Sequence, residues 1–517
     1  MNFCKLPEAM PTPMPPTTKS KLSTTIYHLR DRLLTEFHNA ADSAYRLSIP
    51  LEKAGLTEEN KIKRERLEDW LDEQARRANG GKKGAEEIRE RHYRSALKLA
   101  AATFLNRIVV IRHMEAVGLI KPAVVTGGWN SPGYREFRDF APALTKDETE
   151  GFSVLLGLLF DELALDLPGL FGDVGITGLF PVPAVSLRGV VEAFDDEALR
   201  DVWIDDTTLG WVYQFWNDPE RKALDEKISN RGKIERHEIA AKTQLFTERY
   251  MVEWLLQNSL NNMWLAICQK NGWTPKARSE GVLAALESRR KEWREKRESG
   301  EVSAEVMMPI ESEAEDRWKY WVEQELTEEF VAAAPGSIRE LKLLDPAVGS
   351  GHFLIIAFMV LAAFYREEAE HRGEVWSDRE IAESIVENNL HGVDLDPRAV
   401  QIAAAALWLK AKAFCRDASP KVMNLVASNL GLAALPEDDP AVRELKIEVR
   451  RATGIPEELT EKIIHALEGA DYLGSLLKVD EALDEAILEY ETGGKCRLER
   501  IISNSICLAD WNRKKGR

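Results

Sequence analysis

Leu344-Asp345-Pro346-Ala347-Val348-Gly349-Ser350-Gly351-His352-Phe353 is the stretch that decides the fold. Upstream, Leu341, Leu343 and Leu344 give a short apolar run with strand character; downstream, Phe353–Phe364 is apolar and long enough for a helix. Gly349 and Gly351 let the backbone take positive φ and approach a ligand closely. A helix starting just after them presents unpaired N–H groups and a partial positive charge to that ligand. The combination suits a small cofactor carrying a carboxylate and a nucleoside. The third position beyond Gly351 is Leu354, where a dinucleotide fingerprint wants Gly or Ala, so a nicotinamide dinucleotide is disfavoured. Read alone, the stretch also fits an ordinary tight strand-to-helix turn.

A second strand tip follows. Leu390-His-Gly-Val-Asp-Leu-Asp-Pro397 is a short apolar run ending in acid. Asp396 and Pro397 then suit the N-cap and first position of a helix over Arg398–Phe414. An acid at the tip of the second strand of a doubly wound sheet can accept both ribose hydroxyls of a nucleoside. The gap from Gly351 to Asp394 exceeds the usual spacing of about 20 residues, and a helix near Ser377–Asn388 fills it.

Working outward, the 517 residues suffice for about three domains on a length prior. Five cysteines (Cys4, Cys268, Cys415, Cys496, Cys507) are scattered, without a Cys-x-x-Cys pair or a His at ligand spacing. That argues against a zinc site or a disulfide framework, predicts no metal, and suits a reducing cytoplasm. Residues 1–20 are rich in Pro and Thr and read as a disordered tail, not a signal peptide. The longest apolar stretch is too short to span a bilayer. The net charge of −17 lends no support to nucleic-acid binding, although a basic groove can be local.

Leu22 to about Leu119 is helical in pattern. Lys61–Arg77 and Glu86–Leu99 carry mixed charges of the kind found on solvated helix faces. Lys61, Lys63, Arg64 and Arg66 could touch phosphate, but the interspersed acids favour exposed helix surface. Ala101–Leu119 reads as a buried helix through Phe104, Leu105, Ile108, Val109, Ile111 and Met114. Residues 120–200 hold loops and short helices, and Glu280–Gly300 reads as a charged helical insertion. From about Val331 the texture becomes strand, turn and helix. Thr243-Gln-Leu-Phe-Thr-Glu-Arg-Tyr250 precedes an apolar helix, Met251–Leu260, where Thr247 is placed to cap the first turn.

Taken together, these stretches resemble the large adenine-N6 DNA methyltransferases of phage-defence islands, the PglX type of BREX systems and its relatives in DISARM. Motif I of such enzymes is written Asp-Pro-Ala-Cys-Gly-Ser-Gly-x-Phe, with Val348 here in place of Cys. Asp394 matches the acid of their Gly-x-(Asp/Glu)-x-x-Pro motif. Thr247 matches the Thr of their Phe-Thr-Pro motif, with Glu248 in place of Pro. Phe104–Glu115, Leu209–Glu220 and Leu473–Val479 carry the resemblance collinearly over roughly residues 90–480.

The resemblance implies an α/β fold: an N-terminal all-α region, then a Rossmann-like class I methyltransferase sheet incomplete on its C-terminal side. The expected division is a tail (1–20), a helical domain (21–240), a motif X helix with charged insertion (241–330), a cofactor-binding α/β domain (331–480) and a truncated or divergent segment (481–517). The implied cofactor is S-adenosyl-L-methionine, held by Thr247, Asp345, Pro346, Gly349, Gly351, Phe353 and Asp394. Lys421–Leu430 fits the third strand, with Ser428 or Asn429 near the cofactor's adenine; these residues equally suit a buried strand end. The implied substrate is double-stranded DNA, whose target adenine must be flipped out of the stack.

Transfer to adenine in this family uses Asn-Pro-Pro-(Tyr/Phe), and no such tetrapeptide occurs in the 517 residues. Asn130-Ser-Pro-Gly-Tyr134 and Asn217-Asp-Pro219 come nearest, and both read as turns. No catalytic residue is therefore expected. Three readings stand open: a truncated or split methyltransferase that keeps cofactor binding, lacks catalysis by itself and works with a separately encoded C-terminal half or other defence-system subunits; an intact binding module that senses S-adenosylmethionine or scaffolds a defence complex; and a different Rossmann-like enzyme using another base.

Overall fold

The computed structural model describes residues 14–79, 85–234, 238, 241–242, 244–245, 247–303, 305–427, 440–466 and 487. Contacts divide the chain into two compact units. The larger is built from residues 1–222, 244–393 and 398–426, and the smaller from 223–243, 394–397 and 427–517.

Helices dominate the larger unit. α1 (Pro16–Tyr45), α2 (Glu58–Asn79) and α3 (Ala85–Ala116) are long. α1 buries Leu22, Ile26, Leu29, Leu33, Phe37, Ala41 and Tyr45, a three-or-four-residue spacing that makes one apolar stripe. It begins at Pro16, inside the stretch expected to be a tail. Proline preorganises a first helical turn, and the Lys19 ammonium sits 3.3 Å from the Trp211 ring centroid. In α3, Phe104, Leu105, Ile108–Ile111 and Met114 are all buried, as expected of a central helix. α4 (Ala184–Phe194) and the part of α5 (Thr208–Ser229) up to Lys222 complete this layer. Its core extends to Ile355, Ile402, Ala405, Ala406, Trp408 and Leu409, which belong to the part of the chain expected to bind cofactor.

A second core gathers around α6 (Arg249–Asn271), α7 (Val282–Glu298) and the sheet. α7 buries only Leu286, in keeping with a charged surface arm. β1 (Leu343–Asp345) leads through the glycine turn into α8 (His352–Arg372). After α9 (Asp378–Ser384), opened by a Ser377–Glu380 capping box, and a π-helical turn at Ile385–Asn389, the chain forms β2 (Leu390–Asp394). α10 (Pro397–Phe414) and β3 (Asn424–Ala427) follow. The strand order is β1-β2-β3, and β1 runs parallel to β2 with Leu343 opposite Leu390 and Asp345 opposite Gly392. The chain is thus an α/β protein in which a small sheet is embedded in many helices.

In the smaller unit, α11 (Pro440–Thr453) and α12 (Glu457–Ala466) pair, and Lys446 meets Glu461 at 2.7 Å. No helix among the described residues is long and apolar enough to cross a membrane.

Candidate functional site

The turn after β1 is shaped by three backbone devices. The Asp345 Oδ1 accepts the Ala347 N–H at 3.1 Å, closing a turn on the strand's last residue. The Val348 N–H donates to the Val393 carbonyl at 2.9 Å, so the turn stays stitched to β2. Gly349 and Gly351 take φ of +52° and +85°, conformations costly for residues with a Cβ.

The two glycines differ in their surroundings. A Cβ at Gly351 would lie 3.1 Å from Ala403 Cα, so this residue lets α8 start hard against α10. At Gly349 the nearest atom to such a Cβ would be the Ala347 carbonyl oxygen at 4.0 Å, leaving room beside the backbone. Gly392 on β2 also has no space for a side chain, since Val348 Cγ2 and Leu425 Cδ2 would each be 2.8 Å away. The bulkier Val348, in place of the family's Cys, is therefore seated over a glycine and is itself buried.

No side chain caps the start of α8. Its first N–H groups have no partner within the helix and lie where the macrodipole is positive. Beside them, burial pushes the Asp345 carboxyl above its ordinary pKa range, the Ala347 N–H only partly opposing it. Pro346 is exposed, and Phe353 is half-buried against the second core. Thr247 is half-buried and precedes Glu248, which occupies the N-cap of α6 without a side-chain cap bond. Asp394 ends β2, and its Oδ1 accepts the Asp396 N–H at 2.8 Å. Ser428 and Asn429 lie outside the described residues.

A charged cluster that the sequence did not reveal borders this turn. His352, the first residue of α8, is buried. Burial first, and then the Arg249 charge, lower its pKa to about 4, against an opposing pull from Asp206 and Glu253. Asp206 meets Lys410 of α10 at 3.0 Å and Arg249 of α6 at 3.8 Å. Burial pushes the Asp206 carboxyl up, but the Lys410 and Arg249 cations outweigh it and hold it below its ordinary range. Arg249 continues to Glu253 at 2.8 Å, and Glu253 to Lys319 at 2.6 Å. The chain of ion pairs ties α6, α10 and the segment before α5 together. The Arg249–Glu253 spacing was the one local signal of it; Asp206 and Lys410 are too distant in sequence to suggest each other.

α6 also presents a row of amides to the irregular segment Asp316–Val322. Gln257 donates to the Asp316 carbonyl at 2.9 Å and accepts the Tyr320 N–H at 2.7 Å. Asn258 donates to the Tyr320 carbonyl at 2.8 Å and accepts the Val322 N–H at 2.9 Å. Asn261 donates to the Arg317 carbonyl at 2.9 Å, and Asn262 accepts the Trp321 indole N–H at 2.7 Å. Side-chain amides, three of them buried, thus partner backbone groups of this irregular segment.

The family model described as MmeI, DNA-methyltransferase domain, matches residues 324–435, the part containing the sheet. The chain is 26% identical over 352 residues to the adenine-specific methyltransferase BrxX of Escherichia coli O9:H4 (strain HS), covering 63% of this chain and 25% of that protein. It is 28% identical over 280 residues to the adenine-specific methyltransferase PglX of Lacticaseibacillus casei (strain Zhang), covering 52% and 20% respectively. A putative type II restriction enzyme and methyltransferase of Methanocaldococcus jannaschii is 43% identical over 70 residues, 14% of this chain and 6% of its own length. The chain spans a quarter or less of the length of these relatives.

Proposed function

We propose, from the premise that the chain resembles PglX-type adenine-specific methyltransferases, that its α/β part is a Rossmann-like S-adenosylmethionine-binding module of a DNA adenine-N6 methyltransferase. The observation that carries this reading is the positive-φ turn Gly349–Gly351, set between β1 and the uncapped start of the 21-residue helix α8. The residues fit the cofactor. The open side of Gly349 leaves space for it, the first N–H groups of α8 suit its carboxylate, and Asp394 offers carboxylate acceptors for ribose hydroxyls. Thr247, Asp345, Pro346 and Phe353 complete the proposed set.

Bound S-adenosylmethionine supplies an electrophilic methyl group. The work of the protein's own residues is to orient the nucleoside and to exclude water around it. His352 stays neutral at pH 7, so it adds no second cation beside the α8 terminus, and Arg249 is balanced by Asp206 and Glu253. These residues carry the cofactor and not the base; double-stranded DNA as substrate, and action alongside other defence-system subunits, are proposed from the relatives.

Isothermal calorimetry of the purified chain with S-adenosylmethionine tests the reading, with one equivalent expected to bind. Asp394→Ala is expected to weaken binding by about 1–2 kcal/mol, the scale of lost hydrogen bonds to a charged group. Unchanged affinity in that variant removes Asp394 from the site.

A further inference from the structure

The spacing of cysteines and histidines along the sequence argued against a metal, but tertiary packing brings together donors that lie far apart in the chain. Cys268 is in the last turns of α6, and Glu367 and His371 are one turn apart on α8. Residues at i and i+4 face the same way on a helix, and here both face α6. One ligand atom from each of the three lies within 4.8 Å of the others. We propose that Cys268, Glu367 and His371 form a site for a divalent transition-metal ion, with zinc as the ion their chemistry fits.

The donor set is selective. One thiolate, one imidazole and one carboxylate exclude the hard, oxygen-seeking magnesium and calcium ions and suit zinc. Two negative charges balance the ion. Around tetrahedral zinc, ligand distances of about 2.0–2.3 Å place donor atoms about 3.3–3.8 Å apart; His371 Nε2 and Glu367 Oε1, 3.7 Å apart, already stand at that spacing, and a pair at the 4.8 Å limit closes by about 1 Å.

The groups around the donors hold them in place. The His371 ring is stacked on Trp273, with centroids 5.2 Å apart and an interplanar angle of 8°. Its Nε2 is buried, lies 3.7 Å from Glu367 Oε1, and has no hydrogen-bond partner among the described residues. Glu367 Oε1 accepts the Lys276 N–H at 2.7 Å, the kind of outer contact that orients a ligating carboxylate. Arg372, whose guanidinium lies 5.1 Å from the Trp273 ring centroid, is paired with Glu368 at 2.6 Å.

Without metal, burial keeps the Cys268 thiol protonated, its pKa driven up. Metal binding breaks the S–H bond, forms the metal–sulfur bond and releases one proton to solvent, with no change of oxidation state. Three protein donors leave a fourth, open coordination position for water. The site lies at the far end of α8 from Gly351, so its effect is to staple α6 to α8. It stands independently of the proposed cofactor site.

Cobalt(II) alone, titrated into the purified full chain, is the test. The expected result is one equivalent with a thiolate-to-cobalt charge-transfer band in the near ultraviolet, bleached by added zinc, and a rise in Tm with zinc. Cys268→Ala is expected to abolish the band. His371→Gln, at a partly exposed position, is expected to weaken cobalt binding by more than about tenfold, since even outer-shell losses reach that scale. A band that survives in Cys268→Ala, unchanged affinity in His371→Gln, or no band at all overturns the proposal.

Discussion

Asp206→Ala is expected to lower the unfolding free energy by about 3 kcal/mol, measured by urea denaturation at pH 7. Removing the carboxylate leaves Lys410, 3.0 Å away, and Arg249, 3.8 Å away, as two partly buried cations without their shared counter-ion. Breaking a buried ion pair costs about 3–5 kcal/mol. The low end applies because the Asp206 side chain keeps 24% of its exposure and water screens part of the interaction. A loss under about 1 kcal/mol would show that the cluster is solvated and that Asp206 organises nothing. The pH dependence has a definite sign. Asp206 titrates below the ordinary carboxylate range in the folded chain, so its contribution is present above that range and disappears as pH falls through the lowered value. His352 is held near pKa 4 and must stay uncharged, so the folded state loses ground as pH drops from about 6.5 towards 4. The thermal midpoint of the unmodified chain should therefore fall on acidification, and in Asp206→Ala the part of that fall belonging to the carboxylate should be missing.

Gly351→Val should be the most damaging single change at the proposed cofactor site, and its comparison with Gly349→Ala separates two causes. At Gly351 any side chain meets a positive φ, costing about 1–2 kcal/mol. It also collides with Ala403, and overpacking adds about 1–3 kcal/mol. α8 and α10 must part, carrying the N–H groups at the start of α8 away from the ligand position. Calorimetry should then detect no S-adenosylmethionine binding. Gly349→Ala pays only for its φ, because the space beside it is open. It should fold with a cost of about 1–2 kcal/mol. Equal stability of Gly351→Val and the parent chain would mean that the two helices do not approach as described.

What could be read from the sequence is governed by the range of the forces involved. The two strand tips were legible because each is written in adjacent residues: a strand's apolar run, an acid that bonds the backbone two positions on, glycines at positive φ, and a proline opening the next helix. The structure places β1, β2, α8 and α10 close to those expectations. The Asp206–Arg249–Lys410 cluster was invisible because its partners lie on segments that share no local pattern, and single charged residues on helices usually face water. Cys268, Glu367 and His371 escaped for the same reason. The core of the N-terminal helices reaches into the α/β part through helix residues such as Ile402 and Trp408 of α10. Composition cannot signal that, since a buried helix looks alike whichever layer covers it.

The amide row on α6 has a further consequence for how this chain tolerates change in length. Residues Asp316–Val322 take their position from six side-chain bonds to α6, joined by Arg290 of α7, which donates to the Trp318 and Lys319 carbonyls at 3.1 and 3.0 Å; both anchors lie outside the turn that joins α7 to this segment. Extra residues at the exposed turn around Gly300, beyond the end of α7, should therefore be absorbed locally. That turn is the natural place to splice in a peptide epitope or a small reporter domain while leaving β1 and everything after it in register.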